Sequence, residues 1–189
     1  GKISNFSVGP DGSVWALGGT FGEQTDNRIY FREGITKENP MGTGWYQLPG
    51  GSTYQVAATM NGAAWLLDNS GSLWFVPHYK AATSEWTNFH GDDRWASIHV
   101  ASDGGLWALR GERGEDNRLY FREGVTPTNL LGTNWYHLPA GSTNHIAPIA
   151  GGAAFLADKS GGMWFVPNYK TPTSEWKIRA QGEKFKHIH

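Results

Sequence analysis

The residues best suited to chemistry come in pairs, 90 positions apart. Trp45-Tyr46 returns as Trp135-Tyr136, Arg28 as Arg118, Glu33 as Glu123, Tyr79 as Tyr169 and Trp86 as Trp176. Together they supply what a shallow site for a polar ligand needs. An aromatic ring packs on the ligand's apolar face, and Arg, Glu or Asn groups bond its hydroxyls. Asn27 and Asn117 stand beside the two arginines. Structural readings compete with this one. Trp15, Trp65, Trp74, Trp107 and Trp164 are expected as core anchors, and the other tryptophans can serve packing as well. Arg28 and Arg118 can simply pair with Glu33 and Glu123, or with Asp26 and Asp116.

Catalytic signatures are missing. The sequence holds no G-x-S-x-G elbow, no H-E-x-x-H, no phosphate loop and no dinucleotide fingerprint. His78, His90 and His137 become Asn168, Ala180 and Gln47 in the other copy. Carboxylates gather at Glu23 and Asp26 and again at Glu112, Glu115 and Asp116. A glycosidase needs two such groups about 5–10 Å apart across a cleft, and a solvated acidic loop explains the clusters more simply. Aspartates recur in turns at Asp11, Asp68, Asp103 and Asp158, and are read as one turn position per repeat unit. Each offers a single carboxylate, whereas calcium takes roughly six to eight oxygens. Turn formation by the Asp side chain is therefore the expectation. The chain is expected to be no enzyme and to need no metal or cofactor.

Composition sets the outer bounds. Ten of 189 residues are Trp and 26 are Gly, which suits short strands, tight turns and large aromatic anchors. The net charge of −1 and the lack of a basic tract argue against a nucleic-acid partner. No apolar run is long enough to be a membrane span. With no Cys, disulfides and thiolate-bound metals are excluded. That leans toward a reducing, cytoplasmic setting, although secretion fits as well.

The elements that must position these residues are short strands between turn signals. Strands are expected at 6–8, 13–17, 29–32 and 45–48, then at 55–59, 63–67, 73–76 and 86–89. The second half repeats them at 97–100, 106–109, 118–122 and 135–138, then at 145–149, 153–157, 163–166 and 176–179. No window keeps a helical period. Residues 27–99 are more than half identical to 117–189, so the chain reads as one array duplicated at about 1–94 and 95–184. Four-stranded antiparallel units of this length are β-propeller blades by pattern. The run Val14-Trp15-Ala16-Leu17 does not alternate, as expected for a blade packed on both faces. Four blades are predicted. A blade-start strand at 185–189 leaves the ring unclosed within four blades: either one terminal segment packs aside, or the chain is part of a larger ring, or chains associate to bury the open ends.

The stretches Tyr30-Phe31-Arg32-Glu33-Gly34, Trp45-Tyr46 and Leu48-Pro49-Gly50-Gly51-Ser52 recur at 120–124, 135–136 and 138–142. In wording they resemble the tectonin repeat, a family of β-propellers with both lectin members and intracellular members of membrane traffic. The units holding Pro77-His78-Tyr79-Lys80 and Pro167-Asn168-Tyr169-Lys170 depart from that wording. The resemblance implies a multivalent lectin without catalytic activity. It would bind cell-surface or microbial glycans in recognition or innate immunity through Arg28, Glu33, Trp45, Tyr46, Tyr79 and Trp86 and their copies. Two copies on one rigid body would raise avidity for a dense glycan surface. The alternative expectation is an intracellular scaffold for a protein or membrane partner. A homo-oligomer that buries the end blades fits either.

Overall fold

Glycine turns cut the chain into strands too short to stand alone. A computed structural model describes residues 3–18, 28–89, 94–111, 118–140 and 142–180. The expected strand at 185–189, the acidic loops at 23–26 and 112–116, His90 and Asn27 with Asn117 lie outside the described residues. The strands are β1 (Ile3–Val8), β2 (Val14–Gly18), β3 (Arg28–Glu33), β4 (Gly44–Gln47), β5 (Thr53–Ala58), β6 (Ala64–Asp68), β7 (Leu73–Val76) and β8 (Thr87–Phe89). They continue as β9 (Trp95–Val100), β10 (Leu106–Arg110), β11 (Arg118–Arg122), β12 (Trp135–His137), β13 (Thr143–Ile149), β14 (Ala153–Asp158), β15 (Met163–Val166) and β16 (Lys177–Ala180). They form four sheets of four antiparallel strands, each in sequence order. The protein is all-β, and the sheets are four propeller blades.

The chain falls into two compact units, Gly1–Asp92 and Asp93–His189, with two blades each. Register gives every blade a forward face and a rear face. On the forward face of blade 1, Ser7, Trp15, Phe31 and Tyr46 lie in one row. On its rear face, Phe6, Ala16, Tyr30 and Gln47 form the matching row. The forward residues Trp15, Leu17, Ile29, Phe31 and Leu48 form one core with Val56, Ala58, Ala64, Leu66 and Val76 of blade 2. In the second unit Trp107, Leu109, Leu119, Phe121 and Leu138 do the same with Ile146, Ala154, Leu156 and Val166. Trp15, Ala16 and Leu17 are buried whichever face of the strand they point to, which matches the continuous apolar run in β2.

Two sequence expectations need correction. Trp86 and Trp176 do not begin strands. Each caps a single 3-10 turn, Thr83–Glu85 or Thr173–Glu175, that the search for helical period passes over because it lasts one turn. The first is closed by the Ala82 amide, which donates to Glu85 Oε2 at 2.7 Å. The turn aspartates also occupy two positions rather than one. Asp11 and Asp103 sit in the first hairpin of blades 1 and 3, whereas Asp68 and Asp158 sit in the second hairpin of blades 2 and 4.

The two kinds of aspartate do different work. Asp11 takes the Ser13 amide at 3.0 Å and the Asn61 amide of the next blade at 2.7 Å. Asp103 takes the Gly105 amide at 3.0 Å and the Gly151 amide of the next blade at 2.6 Å. Asn61 and Gly151 present those amides from left-handed backbone, φ 60 and 81. Each carboxylate thus ties two blades at their turns. Charge-assisted bonds of this kind contribute about 1.5–3 kcal/mol, less where exposed. Asp103→Ala is expected to lower unfolding free energy by about 1 kcal/mol, as measured by urea denaturation, and Asp11→Ala by a similar amount.

Candidate functional site

The expected site residues separate onto different faces of the blades, because neighbouring residues in a strand point to opposite sides. Tyr46 lies on the forward face of blade 1 and Trp45 on its rear face. The Trp45 ring is 48 % exposed, with the Arg32 guanidinium 5.2 Å from its centroid and Tyr30 edge-on at 6.4 Å. Trp135 has the same partners, Arg122 at 5.2 Å and Tyr120 at 6.4 Å, and is further covered by Trp95 at 4.6 Å. The position of Trp95 is held by Ile3 in the first unit.

Glu33, Tyr46 and Tyr79 do come together, and Lys80 joins them. Tyr79 stacks on Phe31, with centroids 3.9 Å apart and planes at 10°, and meets Tyr46 edge-on at 5.6 Å. The Tyr79 hydroxyl donates to Glu33 Oε1 at 3.2 Å, and Lys80 Nζ lies 3.1 Å from the same oxygen. The second unit repeats this with Tyr169 on Phe121 at 4.0 Å and on Tyr136 at 5.4 Å. There the Tyr169 hydroxyl is 3.1 Å and Lys170 Nζ 2.9 Å from Glu123 Oε1. The glutamates are therefore paired with Lys80 and Lys170, not across the strand with Arg28 and Arg118, which sit exposed at the far ends of β3 and β11. The Lys hydrogen bond holds each glutamate below the usual carboxylate range, assisted by the tyrosine hydroxyl. This contribution is present above the ordinary carboxylate pKa and is lost as pH falls through the lowered one. These clusters are blade junctions whose groups already satisfy one another.

Trp74 and Trp164 were expected as core anchors. Trp15, Trp65 and Trp107 are fully buried, but Trp74 and Trp164 are only half-buried. Their indole N–H groups donate to Asp68 Oδ2 at 3.0 Å and Asp158 Oδ2 at 2.9 Å. Burial would raise both carboxyls, yet hydrogen bonds from the serine at 70 or 160 and from the indole hold them below their usual value.

Trp164 forms part of a cavity of about 530 Å³ in the second unit. Its wall runs through Pro139, Ala140, Ser142 and Thr143 before and into β13, and Leu156 on β14. It continues through Asp158, Lys159 and Ser160 in the following turn, Trp164 on β15, and Thr173 with Trp176. Trp176 is half-buried, and its N–H donates to the Thr171 carbonyl at 3.0 Å. Ser142 holds left-handed backbone at φ 60, a conformation L-residues rarely keep without support from their surroundings. Its carbonyl accepts the Lys159 amide at 3.1 Å. Two fixed indoles thus line one concave space with Ser142, Asp158, Lys159, Ser160 and Thr173. The sequence search found Trp176 but passed over Trp164, Ser142 and Lys159. The signal was the pairing of an Asp with a Trp six residues later, which recurs at Asp68 and Trp74. The first unit carries the same residues 90 positions earlier, except Gly50 for Ala140 and Asn69 for Lys159.

No helix among the described residues is long and apolar enough to cross a membrane. Among the same residues no group of three or more His, Cys, Asp or Glu side chains could hold a metal ion.

Comparison with known proteins agrees with a propeller. The Hyd_WA propeller family matches residues 13–48 and 100–138, which fall in blades 1 and 3. No curated protein matches the sequence. Among solved structures, YCF48 from Cyanidioschyzon merolae is 13 % identical with a TM-score of 0.54, covering 94 % of this chain and 58 % of its own. PorZ, a bacterial surface component of the type-IX secretion system of Porphyromonas gingivalis, is 14 % identical with a TM-score of 0.50, covering 97 % of this chain and 21 % of its own. Human WBSCR16 is 11 % identical with a TM-score of 0.49, covering 87 % of this chain and 48 % of its own. The chain thus spans less than two thirds of the length of each of these structures. The Hyd_WA match overturns the tectonin resemblance. The stretches that carried it, around Phe31-Arg32-Glu33-Gly34 and its copy, are those the Hyd_WA model matches.

His99 is half-buried and stands apart from the candidate sites. His99 lies on the forward face of blade 3, in register with Trp107. Burial, with the charge of His145 adding to it, pushes its imidazole down to about 4. The unfolded chain would protonate His99 near pH 6.5, before the folded chain does. Its effect is therefore absent above pH 6.5 and costs stability as pH falls toward 4. Unfolding free energy is expected to drop by about 1–3 kcal/mol across that window. His99→Ser, which places there the residue of blade 1, should flatten the slope in thermal or urea titrations.

Proposed function

We propose that this chain is a non-catalytic glycan-binding propeller. Its sites lie at Trp164 and Trp176 in the second unit and, in a related copy, at Trp74 and Trp86 in the first. The cavity that Trp164 and Trp176 line carries the reading. It joins two aromatic surfaces to Ser142, Thr173 and Lys159, and to Ser160 and Asp158, whose side chains bond one another at 2.5 Å and hold the wall in place. A saccharide offers apolar C–H patches to an indole and a ring of hydroxyls to such donors and acceptors. Both indole N–H groups are already bonded to the protein, so the rings are held before a ligand arrives and little ordering remains to be paid.

On this reading the glycan site lies away from the expected Trp45 and Trp135 pair. The copies need not be equal. In the first unit Trp86 lies against Gly50, 3.4 Å from where a Cβ would stand, and Asn69 replaces Lys159. Two weak sites on one chain would gain avidity on a surface dense with the same glycan.

A glycan array on the purified chain is the test, followed by calorimetry on the best ligand. Trp176→Ala, with its fold checked by near-ultraviolet dichroism, is expected to weaken binding at least about tenfold, or roughly 1.4 kcal/mol. Trp45→Ala is expected to leave it unchanged. A folded wild-type chain that binds no glycan would sink the proposal, and binding that survives Trp176→Ala together with Trp86→Ala would move the site.

A further inference from the structure

We infer that Asn61 is a modification site, where spontaneous deamidation turns the residue clamped to Asp11 into aspartate and isoaspartate. The fold itself forces a labile dipeptide at this place. Met60-Asn61-Gly62-Ala63 is the first hairpin turn of blade 2, closed by the Ala63 amide donating to the Met60 carbonyl at 3.1 Å. Both central residues hold left-handed backbone, φ 60 and 68, as a two-residue turn matched to strand twist requires. Position 62 is held to glycine, because a Cβ there would come within 3.0 Å of the Tyr79 ring. Position 61 then takes a residue that tolerates positive φ, asparagine or glycine. The second unit carries Gly151-Gly152 at the equivalent turn, φ 81 and 72. The first carries Asn61-Gly62.

The reaction is an attack within the chain. The Gly62 amide nitrogen loses its proton to water and bonds to the side-chain carbonyl carbon of Asn61. The bond from that carbon to Nδ2 breaks, and the nitrogen takes up a proton and leaves as ammonia. One water molecule then opens the five-membered imide. Opening at the side-chain carbonyl gives aspartate. Opening at the main-chain carbonyl gives isoaspartate, whose backbone runs through Cβ. Glycine helps because no side chain hinders the approach of its nitrogen. A hydrogen bond donated by that nitrogen opposes the step, since the bond must break before the proton leaves.

That last condition separates Asn61 from the comparable pairs Asp11-Gly12, Asn69-Ser70 and Asp103-Gly104. The Gly12 amide donates to the Gly9 carbonyl and the Gly104 amide to the Ala101 carbonyl, each at 2.9 Å. The Ser70 amide donates to Asp68 Oδ1 at 2.9 Å. Among the described residues no group accepts the Gly62 amide. Asn61 is exposed to water as well.

The product alters the clamp between the two blades of the first unit. The Asn61 amide donates to Asp11 Oδ2 at 2.7 Å. A carboxylate created on residue 61 therefore arises beside an existing one, and like charges at short range repel. The isoaspartate form also adds a backbone carbon to a turn whose length sets the hairpin register.

Ageing the purified chain in mildly alkaline buffer is the test, with a free peptide of residues 58–65 aged beside it. Fragmentation mass spectrometry is expected to find residue 61 about one mass unit heavier, at a rate within about tenfold of the free peptide. Enzymatic methyl transfer should detect isoaspartate in the same sample. Asn69 is expected to keep its amide over that period. The aged native chain should unfold at a lower urea concentration than the fresh one. Asn61→Gly, which installs the second unit's residue, should show neither the mass change nor the lowered midpoint. Asp11→Asn should keep the mass change and lose most of the midpoint shift. An intact Asn61 after the free peptide has fully converted would overturn the inference, as would conversion of Asn69 as fast as Asn61. Conversion with an unchanged urea midpoint would overturn the effect on the clamp.

Discussion

The stacking of Tyr79 on Phe31, and of Tyr169 on Phe121, is the contact on which the rest of the structure depends. A four-stranded blade of this size cannot bury its own faces, so it needs a neighbour. The tyrosine comes from the loop after the third strand of one blade and reaches back to the third strand of the blade before. It brings a lysine with it, and the two groups converge on one glutamate oxygen. The ring geometry supplies most of the attraction, since the ion pair is largely exposed and worth little alone. The polar groups make the approach directional, because the hydroxyl must find Glu33 as the ring finds Phe31.

Close approach at this junction also explains a glycine. Gly62 has φ 68, and a Cβ there would come within 3.0 Å of the Tyr79 ring. Gly152 meets Tyr169 even more closely, at 2.7 Å. The first hairpin of the second blade thus forms the floor on which the tyrosine rests. The same hairpin gives its amide to Asp11 or Asp103 of the preceding blade. Stack, floor and clamp each link the same two blades, and this is why the sequence repeats every two blades rather than every one.

The candidate binding surfaces are what this scaffold leaves over. Tyr46, Tyr79 and Glu33 are absorbed by the junction, and Trp45 by the blade face. What is left is a concave space where the connection between two blades passes over the aromatic rings of the second. Such connections vary more freely than strands, and the two units indeed differ there at Lys159 and Asn69. An aromatic-lined recess on a rigid blade pair is a suitable base for recognition, since the fold itself does not prescribe a function.

The sequence alone determined the strands, the turns, the duplication and the propeller class. These follow from local chemistry: glycine and aspartate at turns, continuous apolar runs in strands buried on both faces, and identity across 90 positions. It showed Trp15, Trp65 and Trp107 as anchors for the same reason. It did not show that Phe31-Arg32-Glu33-Gly34 and Pro77-His78-Tyr79-Lys80 are two sides of one junction, because nothing in the spacing of two distant motifs says that their side chains meet. It placed Trp45 and Tyr46 together, although strand alternation puts them on opposite faces and only packing decides which face is covered. It treated Trp74 and Trp164 as core, and both do pack against the cores, but an aspartate six residues away holds each of them only half-buried. Which aromatics are free to meet a ligand is a matter of what else covers them, and that was decided only when the blades packed.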